Sequence, residues 1–186
     1  NRSSLGGNLC NASPAADSVP AMVAAAGRAV IASGAGTRTV AIADVPTGPG
    51  STSLAPGEFI VEFEFDRPAA GQSDAYLRMI PRTEMDIAVV GAGVNLTMDG
   101  SGTCTAASVI LGAVAPTIVR VPDAEAALVG SSLDDDALAA AAAAASAACN
   151  PIDDKRGTIK YRKHVAGVLT KRAAKIAAER AAGGAQ

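Results

Sequence analysis

The sequence predicts an α+β fold, and three observations carry that prediction. Residues 58–65, EFIVEFEF, alternate in the period-two manner of a half-buried strand. Residues 85–99 and 103–114 read as strands joined by Asp99-Gly100-Ser101-Gly102, a turn chemistry suited to an antiparallel hairpin. The last third then carries two long helical patterns, one rich in Ala and one basic. Strands grouped before helices, without strict alternation, favour an antiparallel sheet with its helices segregated to one side.

Taken in order, residues 3–20, SSLGGNLCNASPAADSVP, read as a loop. Gly6 and Gly7 remove Cβ atoms where another group approaches the backbone, and they permit positive φ. Ser4, Asn8 and Asn11 supply side-chain donors and acceptors, and the N–H groups of such a turn can converge on an anion. Asp17 stands just before an apolar helical run that starts at Pro20 and stops at Gly27, where it could cap the helix or accept from a ribose hydroxyl. The segment thus reads as a nucleotide cradle. Residues 29–33 and 39–42 form a hairpin across Gly34-Ala35-Gly36, and 46–57 are a loop dense in Pro and Gly. In the strand over 58–65, alternation puts Phe59, Val61, Phe63 and Phe65 on one face and Ile60, Glu62 and Glu64 on the other.

Residues 67–71 mark a boundary that divides the chain into units 1–70 and 71–186. The second unit is expected to hold three strands (75–82, 85–99 and 103–114) and three helices. The helices span 122–129, 134–149 and about 158 to 182, and Gly183-Gly184 stop the last one. Asp134, Asp135 and Asp136 suit the positive end of the second helix. In the third, Val165, Val168, Leu169, Ala173, Ile176 and Ala177 share a stripe, with Lys171, Arg172, Lys175 and Arg180 outside it.

Composition narrows the classes. A chain of 186 residues with 49% hydrophobic and 18% charged residues can bury a real core. Aromatics at 3%, with no Trp, argue against a stacking reader of single-stranded nucleic acid. Cys10, Cys104 and Cys149 are far apart and odd in number, so neither a metal site nor a disulfide framework is expected, and a reducing, cytoplasmic compartment fits. No stretch is long and apolar enough to predict a membrane span. Charge is divided unevenly. Residues 1–154 hold 7 Lys/Arg against 17 Asp/Glu, a net −10, and residues 155–186 hold 9 against 1, a net +8. A basic last helix that packs on an acidic neighbour explains this better than nucleic-acid binding.

Five ordered blocks carry a family resemblance: SLGGNLCNASPAADSVP, LAPGEFIVEF (54–63), AYLRMIPRTEMDIAVVGAGV (75–94), GAVAPTIVRVPDAEAALVG (112–130) and PIDDKRGTIKYRKHVAGVLTKRA (151–173). Together they resemble the FAD-binding medium subunit of molybdenum hydroxylases, the family of xanthine, aldehyde and carbon monoxide dehydrogenases. The resemblance implies the C-terminal half of a two-part FAD-binding domain, followed by a three-stranded antiparallel sheet packed with a three-helix bundle. Members carry a further N-terminal half-domain with its own Gly-rich pyrophosphate loop; these residues contain no such loop, so a fragment is expected. By the same resemblance Ser4, Gly6, Gly7, Asn8, Asn11 and Asp17 fall on FAD-contacting positions. Relatives commonly have Thr at the places of Ser4 and Asn11. Ile60 matches an aliphatic residue whose backbone meets the cofactor, and Arg78 stands where relatives often carry Lys. The implied partners are a large molybdopterin-binding subunit and a small subunit with two [2Fe–2S] clusters, with NAD, a quinone or oxygen as electron acceptor. The alternative from another class is an assembly scaffold with a vestigial nucleotide loop.

The remaining candidates are weaker. VVGAGVNL has Leu96 in place of the third Gly of a dinucleotide fingerprint and runs on as strand, and SGAGTRT behaves alike, so both pairs read as turn or close-packing glycines. His164, the sole histidine, lies among Lys160, Arg162 and Lys163 and suits a solvated or packing role. No nucleophile–base set and no carboxylate metal site is expected.

Overall fold

A computed structural model describes residues 4–82 and 86–183, so the expected start of a strand at Met85 and the stop at Gly184 lie outside the described residues. The segment read as a loop begins instead with a helix, α1 (Leu5–Asn11). Ser4 caps it by accepting a hydrogen bond from the Gly7 N–H at 3.0 Å, and Leu9 is fully buried beneath it. A side-chain cap and one buried anchor outweigh the poor helix propensity of two adjacent glycines. Helix α2 (Ser18–Ala24) follows, starting two residues ahead of Pro20.

The first unit is built on a three-stranded antiparallel sheet in the order β2 (Gly36–Ala41), β1 (Arg28–Ser33), β5 (Phe59–Glu64). A short hairpin, β3 (Pro46–Gly48) and β4 (Ser51–Thr52), lies between. The strict alternation expected for β5 fails, because the pairing with β1 shifts between Val30 and Ile31. Ile60 lies opposite Ile31 and Phe63 opposite Ala29, and both Ile60 and Phe63 pack on the small core, while Phe59 and Val61 are exposed. A bulge adds one residue to a strand and so flips the faces beyond it.

The second unit is a four-stranded antiparallel sheet in the order β6 (Gln72–Met79), β7 (Val90–Met98), β8 (Cys104–Gly112), β9 (Val119–Arg120). The two-residue β9 is an addition to the three strands expected. Helices α3 (Pro122–Leu128), α4 (Asp135–Ala148) and α5 (Ile159–Ala181) pack in sequence, and α5 lies on β6 and β7. Asp134 caps α4 through the Ala137 N–H at 2.9 Å, and Thr158 caps α5 through the Tyr161 N–H at 3.1 Å. One buried arginine locks the helix layer to the sheet. Arg162 donates to the carbonyls of Val89 (2.6 Å), Gly157 (3.3 Å) and Ala113 (3.4 Å) and pairs with Asp154 at 2.8 Å.

Strand β7 is buried on both faces. Val90, Ala92, Val94 and Leu96 enter the main core beneath α5, and the opposite face meets α2 of the first unit. Glycine permits that second contact. A Cβ on Gly93 would stand 2.8 Å from the Pro20 carbonyl oxygen, and one on Gly112 would stand 2.6 Å from the Pro20 ring. The GAG pair of β7 is therefore a close-packing feature, as read from its sequence, whereas Gly36 takes a turn position at φ 125°.

Candidate functional site

The approach of α2 to β7 brings Asp17, at the start of α2, against β6. Asp17 makes no capping hydrogen bond; its Oδ2 forms an ion pair with Arg78, 61 residues away in sequence. Tyr76 and Arg78 alternate along β6 opposite Gly93 and Gly91, and a Cβ on Gly91 would stand 2.7 Å from the Tyr76 hydroxyl. Tyr76 is half-buried, and burial followed by the Asp17 charge pushes its phenol up, so it stays protonated at physiological pH. Asp17 Oδ1 and the neighbouring Ser18 Oγ are both buried without a hydrogen-bond partner. Two adjacent polar atoms in that condition cost free energy unless something else supplies the bonds. Among the described residues the Tyr76 hydroxyl also reaches the Asp17 carboxylate, and none donates to or accepts from Ser18 Oγ.

Helix α1 arranges the other predicted residues. Ser4, Asn8 and Asn11 stand four and three residues apart, so they share one helical face, opposite to that of Leu9. Ser4 Oγ accepts from Gly7, which leaves its O–H free to donate. The side chains of Asn8 and Asn11 make no hydrogen bond among the described residues. A Cβ on Gly6 would meet nothing within 4 Å, and one on Gly7 would meet only Ser4 Oγ at 2.9 Å. Ser4 and Asn11 are exposed on that face, and Gly6 leaves the backbone open on the other side of the helix. The side chain of Ile60 packs on the small core, and its backbone, the part expected to meet the cofactor, lies in β5.

Beyond α1, the link to α2 borders a cavity of about 540 Å³ between the two units. Ser13, Pro14 and Ala15 line one side, and Ile87, Ala88 and Pro116 are among the residues facing them. Sequence reasoning missed Ser18, Tyr76 and Ile87. Only the GAG spacing of β7 signalled that another element comes close there, without saying which.

Two family models match the chain. One describes the CO dehydrogenase flavoprotein C-terminal domain and covers residues 75–177. The other describes an FAD binding domain in molybdopterin dehydrogenase and covers residues 1–67. The chain belongs to the CO dehydrogenase flavoprotein C-terminal domain family. Particular relatives narrow the comparison. The carbon monoxide dehydrogenase medium chain of Afipia carboxidovorans is 38% identical over 95% of this chain and 61% of its own length. The nicotinate dehydrogenase FAD-subunit of Eubacterium barkeri is 30% identical over 92% of this chain and 59% of its own length. The solved structure of the carbon monoxide dehydrogenase from Hydrogenophaga pseudoflava superposes with a TM-score of 0.91 at 34% identity, over 97% of this chain and 62% of that one. The chain thus spans about three fifths of the length of each of these three relatives.

Proposed function

We propose that this chain is part of the FAD-binding medium subunit of a molybdenum hydroxylase and acts in electron transfer. In this reading a large subunit oxidises the substrate at its molybdenum cofactor, and a small subunit relays electrons through [2Fe–2S] clusters. The flavin site takes them and passes them to NAD, a quinone or oxygen. The flavin, when bound, supplies the redox chemistry. This chain's own residues bind, orient and set charge.

The observation that carries the reading is the pair of buried polar atoms, Asp17 Oδ1 and Ser18 Oγ, held beside Arg78 and Tyr76 with no full set of partners among the described residues. A carboxylate oxygen and a hydroxyl suit the polyhydroxyl chain or ribose of a dinucleotide. Arg78 holds Asp17 through Oδ2, which leaves Oδ1 directed elsewhere, and its positive charge favours anionic groups nearby. On α1, Ser4, Asn8 and Asn11 offer a hydroxyl and two amides on one face, and Gly6 and Gly7 leave the backbone open for phosphate. Ile60 contributes by shaping the small core under α1 and α2. The match of residues 1–67 to an FAD-binding model supports the same assignment.

The test uses the complete subunit, with Asp17→Ala and Asn8→Ala made separately and bound FAD quantified from visible absorbance. The expected result is weaker FAD retention in both variants, greater for Asp17→Ala. Full flavin occupancy in both would end the assignment.

A further inference from the structure

The cofactor site does not account for the basic surface of the last helix. Helices α4 and α5 cross at backbone distance, since a Cβ on Gly167 would stand 2.7 Å from the Ala142 carbonyl oxygen. Beside this crossing runs an open furrow of about 440 Å³. Its floor is Ala142, Ala143, Gly167 and Val168, and its rim is His164, Lys171, Arg172 and Lys175. From His164 to Lys175 the furrow follows α5 for about 16 Å, or three helical turns. Lys160 and Lys163 extend the same positive surface past His164.

Local acids do not cancel this charge. Asp135 is hydrogen-bonded to Lys171 at 3.1 Å and lies 3.7 Å from Lys175, and its own side chain is 84% exposed. Asp153 borders the far end. Arg172 and Lys160 have no ion-pair partner among the described residues. The furrow therefore combines small apolar groups, over which a backbone can lie closely, with flanking cations in excess.

We propose that this furrow docks an acidic helix of a partner subunit, with Asp and Glu flanking a narrow apolar stripe. The proposal rests on the multisubunit reading above. The make-up of the floor selects this occupant over another polyanion. The floor is Ala, Gly and Val, so a helix can lie close on it, and it offers no aromatic or long aliphatic group to insert between lipids or stack on bases. Charge complementarity of this kind fixes register and speeds assembly, and burying α4's exposed alanines adds apolar area.

The test is Arg172→Glu combined with Lys175→Glu in the complete subunit, co-expressed with its molybdenum and iron–sulfur subunits. Assembly is read by native mass spectrometry and FAD content by absorbance. The expected result is association weakened about tenfold or more, with FAD content unchanged. Carbodiimide treatment of the wild-type complex is expected to join Lys171 or Lys175 to an Asp or Glu of a partner subunit. A second variant, Ala143→Trp, fills the floor without altering charge and is expected to weaken assembly likewise while circular dichroism stays native. Unchanged assembly in both variants overturns the proposal but not the functional reading. So do cross-links that join only two copies of this chain, or α5-dependent binding of anionic vesicles or DNA with assembly intact. A wild-type chain that joins no such subunits overturns both.

Discussion

Gly93→Ala is the sharpest probe of how the two units are joined. Its Cβ would stand 2.8 Å from the Pro20 carbonyl oxygen, where ordinary contact begins near 3.4 Å. Relief of that overlap requires α2 to withdraw by roughly 0.6 Å, since neither backbone atom can rotate away. Overpacking of this size costs ~1–3 kcal/mol, against which Ala regains ~0.5–1 kcal/mol over Gly inside a strand. The net expectation spans about 0–2.5 kcal/mol and centres near 1 kcal/mol, or a melting temperature lower by ~2–4 °C at that centre for a chain of this size. Withdrawal of Pro20 also draws Asp17, less than one turn away, from Arg78 and from whatever meets Oδ1. Differential scanning fluorimetry and the flavin-to-protein ratio of the complete subunit are the assays, and both are expected to fall. A variant that melts within ~1 °C of wild type and keeps its flavin would refute the close-packing argument.

Two further outcomes follow from the geometry. Arg162→Met leaves the buried Val89 and Ala113 carbonyls without this donor, while Asp154 keeps the Arg156 and Gly157 N–H groups, so urea unfolding should show a loss of about 2–4 kcal/mol. Glu58 is lowered from its ordinary 4.5 to about 2, chiefly by the Arg38 guanidinium and then by the Ala55 N–H. A depressed carboxyl contributes stability that is complete above about pH 4.5 and lost as pH falls through 2. Glu58→Gln should therefore flatten the unfolding midpoint over that acid range and change nothing about its slope near neutrality.

Much of the second unit was legible because its signals are local. The hairpin chemistry at 99–102, the acidic start of α4 and the stripe on α5 each act within a few residues, and each element formed. The opening segment was not legible as helix. Its glycine pair argues for a loop on propensity, and what reverses it is burial of Leu9 in a core assembled from distant strands. Likewise the β5 bulge depends on register with β1, which no pattern within EFIVEFEF reveals. For the site, Asp17 and Arg78 were singled out separately through family resemblance. Their meeting across 61 residues, and the exposure of Ser18 and Tyr76 to the same corner, need the fold. The glycines of β7 were read as close-packing residues, but their partner, Pro20, sits in the other unit.

The central claim is that the corner made by α2 and β6 holds part of an FAD molecule. A structure of the complete subunit loaded with FAD measures it most directly. The expected result is a cofactor hydroxyl within about 3 Å of Asp17 Oδ1, with Ser18 Oγ also satisfied and α1 facing the phosphates. A cofactor seated elsewhere, with Asp17 Oδ1 and Ser18 Oγ bonded only to protein or water, would contradict it.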